Sequence, residues 1–276
     1  MSAVITFTSD FGLSDVYAAA MKGVALGINP QAVLVDICHT IQPQNIAQAA
    51  FVLSTAHEYF PPRTVHVVVV DPGVGTERRA VILRTPRADF VAPDNGVLSY
   101  IFRQHSAIQT ESDRFRLEPG GNLEALAITR PEYWRKPVSA TFHGRDIFAP
   151  VAAYLTLGRP PSDFGEPVDS LVLLPAAGPE RLPDGNLVGH ILHIDNFGNL
   201  ITDIKTSDLP GETPEPVIEI GGQSINGISL TYETGKDLVA LFGSSGYLEI
   251  ARPNGSARAL LSASAGDKVL FRRSLP

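Results

Sequence analysis

Two rhythms of apolar residues alternate along the first part of the chain. Short, mostly apolar runs, the pattern of strands, occupy Val4–Thr8, Ala32–Cys38 and Thr64–Asp71. Between them lie stretches of helical periodicity, about Asp15–Gly27 and Asn45–Tyr59. Ser14 stands where the first helix needs an N-cap. Ile46, Ala49, Ala50, Leu53 and Ala56 make one face of the second, which Pro61-Pro62 ends. The alternation predicts parallel crossovers, with helices on both faces of a sheet. Val67-Val68-Val69-Val70 carries no polar residue at all. Four β-branched residues in succession predict a strand buried on both faces, in the middle of that sheet.

Further strands are expected over Ala80–Thr85 and Asp89–Ala92, with a short helix over Val97–Gln104. Ser106–Val138 reads as irregular. A helix over Ile147–Leu157 has its stripe at Ile147, Phe148, Val151, Ala152 and Leu155. Prolines and glycines then crowd the stretch from Leu174 to Gly185, which reads as an interdomain linker. Beyond it no long helical period returns. Short runs recur between turns: Leu187–Ile194, Leu200–Ile204, Val217–Ile220, Leu238–Phe242, Tyr247–Ala251 and Lys268–Phe271. The expected organisation is an α/β domain over 1–174, its mostly parallel sheet flanked by helices, and an all-β domain, barrel or sandwich, over 185–276.

Polar residues end the first three strands: Asp10, then Asp36 or His39, then Asp71. In a parallel sheet these ends share one edge, the edge where such folds bind ligands. Asp71 is followed by Pro72-Gly73, a second glycine at Gly75, and the pair Arg78-Arg79. The alternative for this loop by itself is a turn with solvated arginines. His143 precedes the helix that begins at Ile147. The partial positive charge there disfavours imidazolium and leaves a neutral ring, and a packed structural histidine is the alternative.

Composition narrows the partners. The 276 residues are 44% hydrophobic and 18% charged, enough for a sizeable core. A net charge of -7 argues against a nucleic-acid backbone. The single cysteine, Cys38, cannot form an internal disulfide, which fits a reducing cytoplasm. Val4–Phe7 is too short, and lacks the basic lead, for a signal peptide. No apolar run has the length of a membrane helix. His39, His143, Asp10 and Asp71 are the residues from which a hydrolase metal site would be drawn, but no close paired-histidine or paired-cysteine spacing supports one. Neither a metal nor a cofactor is expected.

Six motifs in order give a sharper reading: Ser9-Asp10-Phe11-Gly12; Asp71-Pro72-Gly73-Val74-Gly75-Thr76-Glu77-Arg78-Arg79; Pro93-Asp94-Asn95-Gly96; Phe142-His143-Gly144-Arg145-Asp146; Asp195-Asn196-Phe197-Gly198-Asn199; and Gly243-Ser244-Ser245-Gly246 running on to Ala251. Together they resemble the S-adenosylmethionine hydroxide adenosyltransferase family, the S-adenosylmethionine hydrolases related to fluorinase and chlorinase. The resemblance implies an α/β domain, a β-barrel-like domain and a homotrimer, with each active site between one subunit's N-terminal domain and the next subunit's C-terminal domain. It implies hydrolysis of S-adenosyl-L-methionine to adenosine and L-methionine by attack of water or hydroxide at the ribose C5′. Asp71, Arg78 and His143 match the residues around the nucleophilic water. Asp10 matches the carboxylate that takes the ribose hydroxyls, and Asp15 and Asp195 match acidic residues near the methionine ammonium. Phe197 and Asn199 match adenine contacts. Ser244 matches a methionine-carboxylate contact, and Glu249 and Arg252 lie along the adenine side.

The halogenases of the family carry a tyrosine where Asp71 stands and a tyrosine–serine pair where His143-Gly144 stands. The chain therefore resembles the water-using branch. It departs from the halogenases also at Gln44, where they have a tryptophan, and at Ser245, where they have an arginine. The competing expectations are a non-catalytic adenosine or S-adenosylmethionine sensor and a halide-using 5′-halo-5′-deoxyadenosine synthase.

Overall fold

A computed structural model describes residues 3–105, 113–118, 120–175, 178–209, 215–234 and 237–273. Contacts divide the chain into two compact units, Met1–Pro175 and Ala176–Pro276. In chain order the first unit contains β1 (Val4–Ser9), α1 (Tyr17–Ile28), β2 (Val33–Cys38), α2 (Ile46–Ala56) and β3 (Thr64–Val69). These are followed by β4 (Ala80–Arg84), β5 (Ala88–Pro93), α3 (Ser99–His105), β6 (Arg114–Arg116), β7 (Glu124–Ala127), α4 (Ala149–Thr156) and β8 (Ser170–Val172).

One six-stranded sheet runs in the order β2-β1-β3-β5-β4-β7. β1, β2, β3 and β5 are parallel, and β4 lies antiparallel to both its neighbours. The valine run behaves as its composition requires. Val65, Val67 and Val69 pack on one face with Met21 and Ala25 of α1 and Val151, Ala152 and Leu155 of α4. Val68 and Val70 pack on the other with Ala49 and Leu53 of α2 and Ile101 and Phe102 of α3. Each such side chain removed from water contributes roughly 1.5–3 kcal/mol, so β3 anchors both cores. Its register, Ser9 opposite Val69, brings the ends of β1 and β3 to the same edge.

Several boundaries differ from the sequence reading. Helix α1 starts at Tyr17 rather than Asp15, and its N-cap residue, Val16, makes no side-chain cap bond. Ser14 is therefore not a cap: the chain from Gly12 to Val16 is still turning out of β1. Asn45 does cap α2, accepting from Gln48 N at 2.9 Å. That helix ends at Ala56, and His57–Tyr59 tightens into a 3-10 turn. Within the stretch read as irregular, β7 pairs with β4 and closes the sheet edge, and β6 pairs with β8. Glu-Ala-Leu-Ala has little β preference of its own; the waiting edge of β4 makes it a strand. Residues 106–112 of that stretch lie outside the described ones.

The second unit holds β9 (Glu180–Arg181), β10 (Leu187–Ile194), β11 (Leu200–Lys205), β12 (Val217–Ile220), β13 (Gln223–Asn226), β14 (Val239–Phe242), β15 (Tyr247–Ala251), α5 (Ala257–Leu261) and β16 (Lys268–Arg272). Among the described residues its pairings are all antiparallel, in the order β13-β12-β16-β10-β11-β15-β14, with β9 beside β10. Ile225 of β13 and Ala240 of β14, from opposite ends of the sheet, share one core with Ile191, Ile218, Ile250 and Phe271. A sheet whose ends meet the same core is curled on itself, as the barrel-like expectation requires. Periodicity misses α5 because it is a single short turn; Ser256 caps it by accepting from Ala259 N at 3.1 Å.

Candidate active site

The loop after β3 is built to return a guanidinium to a carboxylate. Val74 N donates to Asp71 O and Thr76 N to Gly73 O, so the chain reverses just after Asp71. Thr76 Oγ1 donates to Gly73 O at 2.7 Å and accepts from Arg78 N at 3.3 Å, which sets the exit direction. Gly75 has φ +78, and a Cβ there would lie 2.5 Å from Ala140 O. Only glycine lets this loop press onto the backbone that leads to His143. Arg78 then grips Asp71 with a two-bond fork, Nε to Oδ1 at 2.8 Å and Nη2 to Oδ2. Both side chains are nearly sealed, 11% and 5% exposed, so this is not a solvated surface pair.

Arg79 has a different task. It binds Asp94, Nε to Oδ2 at 3.0 Å, and reaches Ser170 O at 2.7 Å. Asp94 also accepts from Val172 N, and Asn95 Nδ2 donates to Val70 O at 2.9 Å. The Pro93-Asp94-Asn95-Gly96 motif thus ties β5 to the end of the β3 segment and to β8.

His143 sits at the head of one turn of π-helix, Gly144–Phe148, that runs directly into α4. Its Nδ1 lies 3.0 Å from Arg78 Nη2. Burial first, then the Arg78 charge, holds the ring's pKa below the usual histidine range, with Asp71 and Asp146 pulling the other way. The sequence reading reached a neutral ring through the helix terminus; burial and Arg78 are the causes here. Since a guanidinium only donates, Nδ1 accepts, and the neutral ring carries its hydrogen on Nε2. Arg78 lies over the Phe148 ring, 5.3 Å to its centroid. Gly144 is enclosed: a Cβ there would meet Met21 Sδ at 2.9 Å and Val69 Cγ1 at 3.1 Å.

Asp10, Asp15, Gln44, Asp71, His143 and Gly144 all line one cleft of about 440 Å³ at the carboxyl edge of the parallel strands. Asp10 Oδ2 accepts from Gln44 N at 2.7 Å, which aims the carboxylate while leaving Oδ1 for a ligand. Gln44 takes φ +65 to present that N–H. Phe142 meets Phe11 and Tyr17 edge to face, Phe11 and Tyr17 are tilted by 44°, and the three rings, with centroids 5.2–5.7 Å apart, form an apolar wall. Of these, Tyr17 lay outside the six motifs, and its helical position gives no sign that it faces a cleft. Among the described residues no group of three or more His, Cys, Asp or Glu gathers as a metal site.

The second unit carries its own cluster. In the turn between β10 and β11, Asp195 Oδ1 accepts from Phe197 N and Asn199 N, at 2.9 and 2.8 Å, and Oδ2 accepts from Asn199 Nδ2 at 2.9 Å. Asp195 therefore shapes the turn, Asn199 is buried, and Phe197 stands 76% exposed. Gly198 (φ +84) packs so closely on Ser256 that a Cβ would strike its Oγ. Glu249 is buried and accepts from the Tyr232 hydroxyl at 2.8 Å. Burial, ahead of Asp195, pushes its carboxyl above the usual range, against the lowering effect of that bond. The same Glu249 pushes Tyr232 up to about 12, after burial. Tyr232 was not singled out from the sequence, where nothing marks it. Ser244 is exposed in the β14–β15 turn, and Arg252 is half-buried against Gly255.

Comparison with known proteins follows the same division. Residues 5–165 match the SAM hydroxide adenosyltransferase N-terminal domain, and residues 189–270 match the corresponding C-terminal domain. A protein of Thermus thermophilus named (R)-S-adenosyl-L-methionine hydrolase is 38% identical over 271 residues, covering 96% of this chain and 98% of its own. One of the same name from Methanocaldococcus jannaschii is 33% identical over 280 residues, covering 96% and 94%. A fluorinase of Nocardia brasiliensis is 30% identical over 232 residues, covering 75% and 72%. The crystal structure of an uncharacterized conserved protein from Thermotoga maritima superposes with a TM-score of 0.85 at 33% identity, covering 98% and 100%.

Proposed function

The chain belongs to the SAM hydroxide adenosyltransferase family, and from that premise we propose that it is an enzyme hydrolysing S-adenosyl-L-methionine to adenosine and L-methionine. The observation that carries the reading is the hydrogen-bonded row Asp71–Arg78–His143, whose two ends, Asp71 and His143, line the cleft that Asp10 also lines. Binding alone has no need of such a row, which disfavours the sensor. A halide-using reaction is disfavoured by Asp71 and by Gly144, where a serine would have to displace Met21 Sδ and crowd Val69.

Water attacks C5′ in line with the sulfonium. The O–C5′ bond forms, the C5′–S bond breaks with its electron pair going to sulfur, and methionine leaves neutral at sulfur. No acid is needed for that departure, so the protein's task is to hold and deprotonate water. Positioning can contribute roughly 7–11 kcal/mol in favourable cases. Arg78 cannot exchange a proton near neutral pH; it orients the water and stabilises developing hydroxide. His143 turns its acceptor nitrogen to Arg78, so its Nε2–H serves the water as donor. Asp71, which keeps unused lone pairs outside its fork, takes the proton. Asp10 receives the ribose hydroxyls and Asp15 the methionine ammonium. Asp195, Phe197, Asn199, Ser244, Glu249 and Arg252 form the second half-site, supplied by the neighbouring subunit of a cytoplasmic homotrimer. Neither metal nor cofactor takes part. The names of the relatives favour the (R)-sulfonium epimer as the preferred substrate.

The test is incubation with each sulfonium epimer in oxygen-18 water, with chelator and without halide. Adenosine labelled at its 5′ oxygen, formed faster from the (R) epimer, is expected. Binding without turnover of either epimer supports the sensor, and a halide requirement supports the synthase.

A further inference from the structure

A polar chain, buried at Ser9 and His39 and reaching the surface at Asp36, adjoins the strand end that carries Asp10. Ser9, fully buried at the end of β1, has its Oγ 2.7 Å from His39 Nδ1. His39 is 4% exposed, and its Nε2 lies 2.9 Å from Asp36 Oδ1. Asp36 Oδ2 accepts from Lys22 Nζ of α1 at 2.5 Å. Two further bonds connect this chain to the loop that carries Asp10. Phe11 N donates to Ser9 Oγ at 3.3 Å, and Gly12 N donates to His39 O at 2.7 Å.

Asp36, paired with Lys22, is an acceptor, so His39 Nε2 carries a hydrogen and donates it. Ser9 Oγ accepts from Phe11 N and shares a hydrogen bond with His39 Nδ1. Both ring nitrogens are therefore used and none is left for chemistry. A buried histidine satisfied on both sides, between two strand ends, is a brace.

We propose that His39 is a positioning residue of the adenosine site: through Ser9 and its own carbonyl it fixes the Ser9–Gly12 turn, so that the Asp10 carboxylate is pre-set to receive a ribose diol. This rests on the reading of Asp10 as the ribose carboxylate. The order of the parts supports it. Asp10 lies between the two braced positions, Ser9 and Phe11, and its Oδ2 is held from the far side by Gln44 N. A carboxylate held at three points along its turn loses little freedom when it binds, which is where such bracing stabilises a complex. Asp36 and Lys22 then link the brace to α1, which opens just beyond the same loop.

The experiment compares His39→Ala and Ser9→Ala with the unaltered protein. The second variant deletes one hydroxyl and guards against a fold lost in the first. Adenosine and methionine affinities are measured separately by calorimetry, and hydrogen exchange is read at the Phe11 and Gly12 amides. Adenosine binding is expected to weaken about tenfold in both, the effect of one hydrogen bond to a charged group. Methionine binding should stay unchanged, and exchange at the two amides should accelerate. Equal losses for both ligands, or slow exchange retained at Phe11 and Gly12, overturns the inference. Asp10→Asn separates the two readings. Adenosine affinity lost there but kept in His39→Ala and Ser9→Ala sinks the brace alone. Affinity kept in Asp10→Asn removes Asp10 as the ribose ligand, and the brace's role with it.

Discussion

A guanidinium between a carboxylate and an imidazole sorts them by hydrogen count. Arg78 can only donate, so it draws an acceptor from each neighbour: both oxygens of Asp71 and Nδ1 of His143. Of the three, the imidazole is left with its Nε2–H as a donor and the carboxylate with the free lone pairs. Asp71→Asn removes the proposed base and keeps the shape. Turnover should fall about 10²–10⁴-fold, the usual worth of a positioned base, while adenosine affinity is nearly unchanged. Single-turnover kinetics with separate binding measurements check this, and a wild-type rate would remove Asp71 from the mechanism. At this scale the sequence was informative where a residue type has few uses. An aspartate closing a valine run and an arginine seven positions on announce themselves, and they meet as a fork. Residues whose type has many uses stayed silent. Tyr17 and Tyr232 look like ordinary aromatics until the fold turns one to the cleft wall and the other to Glu249.

The β3–β4 connection is the element that assembles the site. Its geometry depends on Gly75, which adopts φ +78 with Ala140 O where a Cβ would stand. Gly75→Ala must lift the loop from the segment preceding His143. Stability should fall by roughly 1–3 kcal/mol through strain and overpacking, and kcat should fall with it as Arg78 moves away from His143. Urea titration and steady-state kinetics test both; an unchanged midpoint and kcat would mean that the loop does not depend on this contact. Elements with strong internal periodicity, β1, β3, α2 and α4, were legible from the chain. Those made by their neighbours were not. β7 is a strand because β4 offers an edge, and the π-turn at Gly144–Phe148 arises where the His143 segment must pass close to Met21 and Val69 before α4 can start.

For the whole molecule, two properties can be measured. His66 lies wholly buried in β3, its Nδ1 2.8 Å from Thr6 Oγ1, and burial holds its pKa down from 6.5 to about 3. Between those values the unfolded chain binds a proton that the folded chain refuses. The stability associated with the neutral ring is complete above pH 6.5 and is lost as the pH falls toward 3, by up to about 1.4 kcal/mol per unit. Denaturant midpoints from pH 7.5 to 4.5 should therefore drop, and His66→Leu should flatten that slope; equal slopes would refute the assignment. The second property is assembly. The proposed homotrimer should show by light scattering three times the 29.6 kDa of the chain, and its activity should fall on dilution as subunits part. A fully active monomer would exclude the shared site. What the sequence determined by itself was local or compositional: a both-faces-buried strand, helices of fixed period, a β-rich second half, and rare polar residues at strand ends. Such features follow from backbone geometry and from transferring side chains out of water, and both act over a few neighbouring residues. What only the tertiary structure decided was which nitrogen of His143 carries the hydrogen, which arginine serves the site and which the scaffold, and that His39 braces rather than reacts. Those outcomes depend on directional hydrogen bonds between residues as distant as Arg78 and His143, and no local preference can set them before the sheet brings the strand ends together.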